Sequence, residues 1–270
     1  MTITSKDGIK RKMMSHSMLK RVIMRADFSS MLSLERTVTM LNDEKWFKGT
    51  FLNYEKRELK TNKDERTEIE DEDLEGSVVK RFDDCNIAPE RNITLDISSK
   101  FVTMLINCDS KYEMIDDYLD LFVKVVAFIV HNDDYVKLNR LAIRKTDGME
   151  FNCGEDADEV FEYFDQNIAD HQQDLFYFRT YTDSFIYGKS NVNVNYNRTV
   201  KILGNGKYVF VLDIDTFLDN ERINKNRPTE AELCDTFVNK LNESSFELFK
   251  RGVKLDYLKT IVKKEYGGAQ

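Results

Sequence analysis

The stretch that decides the fold runs from 174 to 217 and contains LFYFRTYTDSFIYG (175–188), NVNVNYNRTVKIL (191–203) and KYVFVLDIDTF (207–217). In each piece apolar and polar residues alternate with the two-residue period of a strand, and β-branched and aromatic residues dominate. Between the second and third pieces, Leu203-Gly204-Asn205-Gly206 supplies an Asn-Gly pair, which readily takes the positive φ angles of a hairpin turn. Three strands joined this closely form an antiparallel meander.

Outward from the meander, the same periodicities organise the rest of the chain. Toward the N-terminus, residues 112–130 carry a broad apolar helical face built on Met114, Ile115, Tyr118, Leu119, Phe122, Val125, Val126 and Ile129. The acids Glu113, Asp116 and Asp117 sit in the first turns, where they favour the helix dipole. Asn132-Asp133-Asp134 ends that helix, and YVKLNRLAIRK (135–145) alternates as a strand with Val136, Leu138, Leu141 and Ile143 inward and a bulge near Asn139-Arg140. Strands are also expected over 19–28, 46–60, 77–82, 92–98 and 100–108, with Ser98-Ser99-Lys100 turning a hairpin. Leu32, Leu34, Val38 and Leu41 mark a helix after the first strand, and a second helical pattern follows Gly154. Arg227-Pro228-Thr229-Glu230 starts a C-terminal helix through Phe237, Leu241, Phe246 and Leu248, and a short basic helix ends at Tyr266.

Strands therefore come in runs and do not alternate with helices, which excludes a doubly wound nucleotide-binding fold. The expected class is α+β, with antiparallel sheets and a long helix packed on each half. Residues 1–17 read as a flexible leader, 18–152 as an N-terminal half and 153–270 as a C-terminal half, alternatively one continuous domain. Met18 would serve as a start for the folded part.

Composition narrows the function classes. The 270 residues hold 40 Lys plus Arg against 48 Asp plus Glu, a net charge of -8, with 41% hydrophobic residues, 2 Pro and 11 Gly. Such a chain builds a core and is neither fibrous nor disordered. The longest apolar run, 121–130, is interrupted by Lys124 and is too short to span a bilayer. Cys85, Cys108, Cys153 and Cys234 are scattered without zinc or redox spacing, and the polar N-terminus lacks a signal peptide's apolar stretch, which reads as a reducing cytoplasm. Basic residues gather at 10–25 and 250–264, but the overall acidity opposes a polyanion, so nucleic acid is not favoured.

Candidate chemistry is sparse. Asp213 and Asp215 lie at i and i+2 on one strand, hence on one face, a pairing that holds divalent metals in hydrolases and nucleases when a third acid such as Asp219 or Glu221 joins it. A charged solvent face, with Val211, Leu212 and Ile214 turned inward, explains the same residues without a metal. His16, His131 and His171 would have to converge from distant positions to bind one, and His131 is already explained as a cation at a helix C-terminus. Cys153 precedes a helix but has no histidine near in sequence. Gly204 and Gly206 precede a strand, not the helix of a phosphate loop. No cofactor is expected. Between 61 and 76 lie eight acids (Asp64, Glu65, Glu68, Glu70, Asp71, Glu72, Asp73, Glu75) and two bases, which read as an exposed, partner-binding acidic loop.

The runs KYEMIDDYLDLFVKVVAFI (111–129) and DDYVKLNRLAIRKTDGMEF (133–151) resemble the bacterial "sporadically distributed" conserved hypothetical family. In that family a Tyr-led helix precedes a strand reading roughly Arg-hydrophobic-Gly-Leu-Arg-Tyr-Ile-Asn. Lys137 to Arg144 is a loose match, with Arg144 at the Arg-like position and Tyr-Ile-Asn absent. GKYVFVLDIDTF (206–217) is similar to the family's C-terminal strand, which ends in Asp-hydrophobic-Asp. The resemblance covers about Met18 to Asn220 and implies no assigned reaction. It does imply mobile gene neighbourhoods such as defence or toxin–antitoxin loci.

Together these readings predict a non-catalytic cytoplasmic protein-interaction module that is homo-oligomeric and uses strand edges and its 18 Phe, 12 Tyr and 1 Trp. The alternatives are a SecB-like chaperone or antitoxin-type binder, and a metal-dependent hydrolase or nuclease using Asp213 and Asp215.

Overall fold

Alternation in LKRVIMRADF puts Val22, Met24, Ala26 and Phe28 on one side of a strand that becomes the centre of the molecule. The computed structural model describes residues 3–15, 18–58, 78–86, 93–108, 114–152, 157, 159–162, 177–203, 205–223 and 227–266. Its strands are β1 (Leu19–Phe28), β2 (Phe51–Glu58), β3 (Val78–Cys85), β4 (Ile93–Ser98), β5 (Phe101–Asn107), β6 (Leu138–Phe151), β7 (Tyr177–Tyr187), β8 (Val192–Ile202) and β9 (Tyr208–Asp219). The α-helices are α1 (Leu34–Asp43), α2 (Lys45–Lys48), α3 (Asp116–Asn132), α4 (Glu230–Asp235), α5 (Glu243–Gly252) and α6 (Leu255–Thr260), with a π-helical segment, Thr236–Asn242, between α4 and α5.

The strands form one nine-stranded sheet in the order β2-β3-β4-β5-β1-β6-β9-β8-β7. β5 and β6 both run antiparallel to β1, so they run parallel to each other. Parallel strands cannot be joined by a hairpin. The α3 helix supplies the crossover, and its apolar face (Phe122, Val125, Val126, Ile129) is wholly buried.

The expected separate sheets with a long helix on each half are overturned. One sheet runs through both halves because β6, fourteen residues long, pairs with β1 along one side and with β9 along the other. The helices are few and short, and those expected to serve different halves meet, Phe122 of α3 standing edge-on to Phe237 at 5.4 Å. The C-terminal helix is initiated by a capping box between Thr229 and Glu232, widens through the π segment, and ends at Gly252. There a Cβ would run into the Tyr196 hydroxyl and come within 3.0 Å of Leu212 Cδ2, so glycine permits the helix end to approach β8 and β9.

Local expectations fared better. The meander, the β4–β5 hairpin and the bulge appear, the last where Asp27 opposes Arg140 but Phe28 opposes Leu138. The strand expected from Trp46 begins only at Phe51. Before it, α2 turns Phe47 into the core, edge-on to Phe82 at 5.0 Å. Leu32 is 68% exposed, because Ser33 caps α1 after it and accepts from the Arg36 amide. The acidic run 61–76, His16, His171, Cys153 and Gly204 lie outside the described residues. Among the described residues no helix is long and apolar enough to cross a membrane.

The leader is part of the packed structure over residues 3–15. Ile9 and Met13 are buried, and the Lys250 ammonium donates to the carbonyls of Lys6 and Ile9 at 3.2 and 3.1 Å. Ser15 Oγ donates to the Ile261 carbonyl at 2.8 Å. Ile9→Ala should therefore cost roughly 2–4 kcal/mol in urea denaturation; an unchanged midpoint would show that this segment adds nothing to stability.

Candidate functional site

Pairing of β6 with β9 sorts their side chains onto two faces. Leu141, Ile143, Leu212 and Ile214 face the helices; Arg140, Arg144, Asp213 and Asp215 lie on the other face. The two acids share a face, as their spacing requires. Val211 shares it too, opposite Gly148, so only Leu212 and Ile214 of the expected inward set turn inward.

Each acid meets an arginine from β6. Arg144 grips Asp213 through Nε (2.9 Å to Oδ1) and Nη2 (2.7 Å to Oδ2), and Arg140 Nη2 lies 2.6 Å from Asp215 Oδ2. Arg140 also approaches Asp27 at 3.7 Å, and Asp27 in turn accepts from Arg25 Nε at 2.7 Å. The guanidinium of Arg140 stands 4.5 Å from the ring centre of Phe217. This is an alternating ladder of charge across β1, β6 and β9. Burial lifts the pKa of Asp215 above its ordinary value, although Arg140 and Arg144 pull it down.

A carboxylate engaged this way offers a cation little, and the guanidinium beside it repels one. Of the proposed third acids, Asp219 accepts from Asn193 at 3.0 Å and Glu221 sits in an exposed turn beyond β9. Among the described residues no group of three or more His, Cys, Asp or Glu side chains is arranged to hold a metal ion. His131, at the end of α3, has Nδ1 2.7 Å from the Ala127 carbonyl.

The helix-facing side of β6 holds a pair that sequence reasoning missed. Lys145 and Asp147 continue the inward parity of Leu141 and Ile143, and both are buried. Burial pushes Asp147 up to about 7, against the pull of Lys145 and with a further push from Asp213. Burial, reinforced by repulsion from Arg11, holds the Lys145 ammonium well below its ordinary value. Lys145 Nζ donates to Asn242 Oδ1 at 2.5 Å. The widened π turn leaves the Leu241 and Asn242 carbonyls to accept from Thr216 Oγ1 and Arg11 Nη2. Above the pair lies a cavity of about 440 Å³, walled by the N-terminal segment, α5 and the C-terminal residues. Ser245 Oγ is wholly buried in its wall and has no hydrogen-bond partner among the described residues. Perturbed ionisable groups in a cavity mark a candidate site. The sequence signal was two charges at core parity in a strand.

The sheet's two edges contrast. β2 ends in Glu55, Lys56, Arg57 and Glu58, charges that discourage pairing with another chain. β7 is exposed over most of its length and carries only Arg179 and Asp183, the latter accepting from Arg198 on β8 at 2.8 Å. Phe178, Phe185 and Ile186 are 51%, 38% and 59% exposed. Among the described residues nothing pairs with its outer side.

Fold and site define a class: an antiparallel sheet carrying its helices on one face, with a buried lysine and a buried aspartate under a cavity and one exposed edge. No family model, no curated protein and no solved structure matches the chain.

Two outcomes test these assignments. Arg144 is partly exposed while Asp213 is buried, so removing Arg144 leaves the Asp213 carboxylate without its counter-charge, whereas replacing both does not. Arg144→Met should cost about 1–3 kcal/mol, and adding Asp213→Leu should recover most of it. Equal losses in urea melts of the two variants would show no coupling. For Asp147, the folded pKa of about 7 exceeds the ordinary 3.8, so the native state holds the extra proton between those values. Its stabilising contribution is complete below the lower value and is lost as pH rises through the upper one. Asp147→Asn stays neutral throughout, so its stability relative to the parent should climb between those limits, by at most ~1.4 kcal/mol per pH unit. Parallel pH profiles would refute the assignment.

Proposed function

We propose that the chain is a non-catalytic protein-interaction module that assembles with a second copy of itself through β7. The observation carrying this reading is that the exposed edge, YFRTYTDSFIY, is nearly its own complement when reversed. Antiparallel pairing about a two-fold axis at Thr182 sets Tyr177 against Tyr187, Phe178 against Ile186, and Thr180 against Ser184. The same register sets Arg179 against Phe185 and Tyr181 against Asp183. Every pair is apolar, hydrogen-bonding or cation–aromatic, and each off-axis pair recurs across the axis, as an isologous interface requires. Main-chain hydrogen bonds would carry the sheet on into the second copy.

A reducing cytoplasm suits this reading, since Cys85, Cys108 and Cys234 form no disulfide among the described residues. The family resemblance adds a setting, an accessory role in a mobile defence or toxin–antitoxin locus.

The register makes the test specific. Size-exclusion chromatography with light scattering should give a dimer for the parent chain and a monomer for Ile186→Lys, with unchanged circular dichroism. Adding Phe178→Glu places a Glu opposite each Lys and should restore the dimer, since opposite charges directly across strands attract by roughly 0.2–1 kcal/mol. A monomeric parent, or a dimer indifferent to both changes, overturns the proposal.

A further inference from the structure

We propose that the cavity over Lys145 and Asp147 binds a small anionic ligand with a planar ring, of the class of a nucleoside monophosphate. At about 440 Å³ its size falls within the roughly 300–1,000 Å³ of small-molecule sites. The site is enclosed by elements far apart in sequence, so it exists only in the folded chain.

Its charge selects an anion. Arg11, Lys12 and Lys263 line the cavity, Lys145 lies in its wall, and Asp147 is the only acid among the described lining residues. Arg11 is already oriented, its Nη2 donating to the Asn242 carbonyl at 2.6 Å and its guanidinium 5.2 Å from the ring centre of Phe246. Lys12 and Lys263 are exposed at the rim, where a phosphate keeps part of its hydration. The chain as a whole is acidic, so this local excess of positive charge runs against the average composition.

Its walls select a ring. Phe249 and Tyr266 line the cavity, and flat apolar surfaces of this kind hold a planar π-system by stacking. Its floor supplies direction. Ser245 Oγ is buried without a partner, and leaving a buried hydroxyl unpaired costs about 1–3 kcal/mol, which a ligand's polar edge would recover. Asp147 lines the same cavity as a second polar group for the ring edge or sugar. Burial favours the uncharged forms of Lys145 and Asp147, and an anion in the cavity would draw Lys145 back toward its charged form.

The site lies on the helix-bearing face at β6, while β7 is three strands away at the sheet edge. Ligand binding and self-assembly are therefore separable, and failure of either proposal leaves the other standing.

Isothermal titration calorimetry of the full chain with the four ribonucleoside monophosphates tests the assignment, with inorganic phosphate and the corresponding nucleosides as single-group probes. At least one monophosphate should bind with a Kd at or below about 1 mM and raise the melting temperature. Phosphate and the nucleoside alone should bind roughly tenfold more weakly or worse. Lys263→Glu, at the exposed rim, should weaken binding about tenfold with no change in the unliganded melt, and Ser245→Ala should weaken it without abolishing it. No binding by any monophosphate at about 1 mM overturns the proposal. So does phosphate binding as tightly as the monophosphate, or affinity unchanged in both variants.

Discussion

The seam between β6 and β9 is the constraint on which the rest of the structure depends. Without it the chain would be two sheets, one built on β1 and one on the C-terminal meander. With it, the register from Arg140 opposite Asp219 to Phe151 opposite Tyr208 fixes both faces at once. On one face it lays down the core strip of Leu141, Ile143, Leu212 and Ile214, which the helices cover; on the other it brings Arg144 onto Asp213. A slip of β9 by one residue would exchange its faces, placing Asp213 and Asp215 under the helices. The Arg144–Asp213 fork therefore acts on register as well as on stability, because its two parallel bonds form in one alignment only.

The same seam joins two charged runs far apart in the chain. Arg144 and the Asp213-Ile214-Asp215 run lie 69 residues apart in the chain at their closest pair, yet they meet as a bidentate ion pair on adjacent strands. The cross-strand contact gives Arg144 and Asp213 a structural role.

What was legible in the sequence was local. The Asn205-Gly206 turn, the Ser98 hairpin and the Asn139 bulge depend on a few consecutive residues, and the strand and helix periods follow from one element at a time. What was hidden was pairing between distant strands. Nothing within 135–151 says that this strand has two neighbours, and so the chain reads as two halves. The leader was hidden for a related reason: Ile9 and Met13 are isolated apolar residues among Lys, Arg and Ser, and only the groove beside Lys250 and Ile261 gives them somewhere to bury. The acids of β9 shared a face as the i, i+2 rule demands, but whether a carboxylate meets a metal or a guanidinium is decided by the neighbouring strand. Lys145 and Asp147 were the readable exception. Once Leu141 and Ile143 are inward, parity alone carries both charges into the core.

Their retention there has to be explained by something other than stability. A buried ion pair is commonly no better than an apolar pair of the same volume, since desolvating two charges offsets their attraction. Here the geometry is poorer than that of the Arg144–Asp213 fork. Lys145 spends its short bond on Asn242 instead of on Asp147, and the nearby Arg11 raises the cost of its charge. Around it the π segment gives up regular helical bonding, and Ser245 is left without a partner. Lys145, Asp147 and Ser245 line one cavity, while on the opposite face of the same strand Arg144 grips Asp213 through two bonds. Two buried ionisable groups and an unpartnered hydroxyl in one cavity wall are polar groups that a bound ligand would satisfy, which is the role proposed for them.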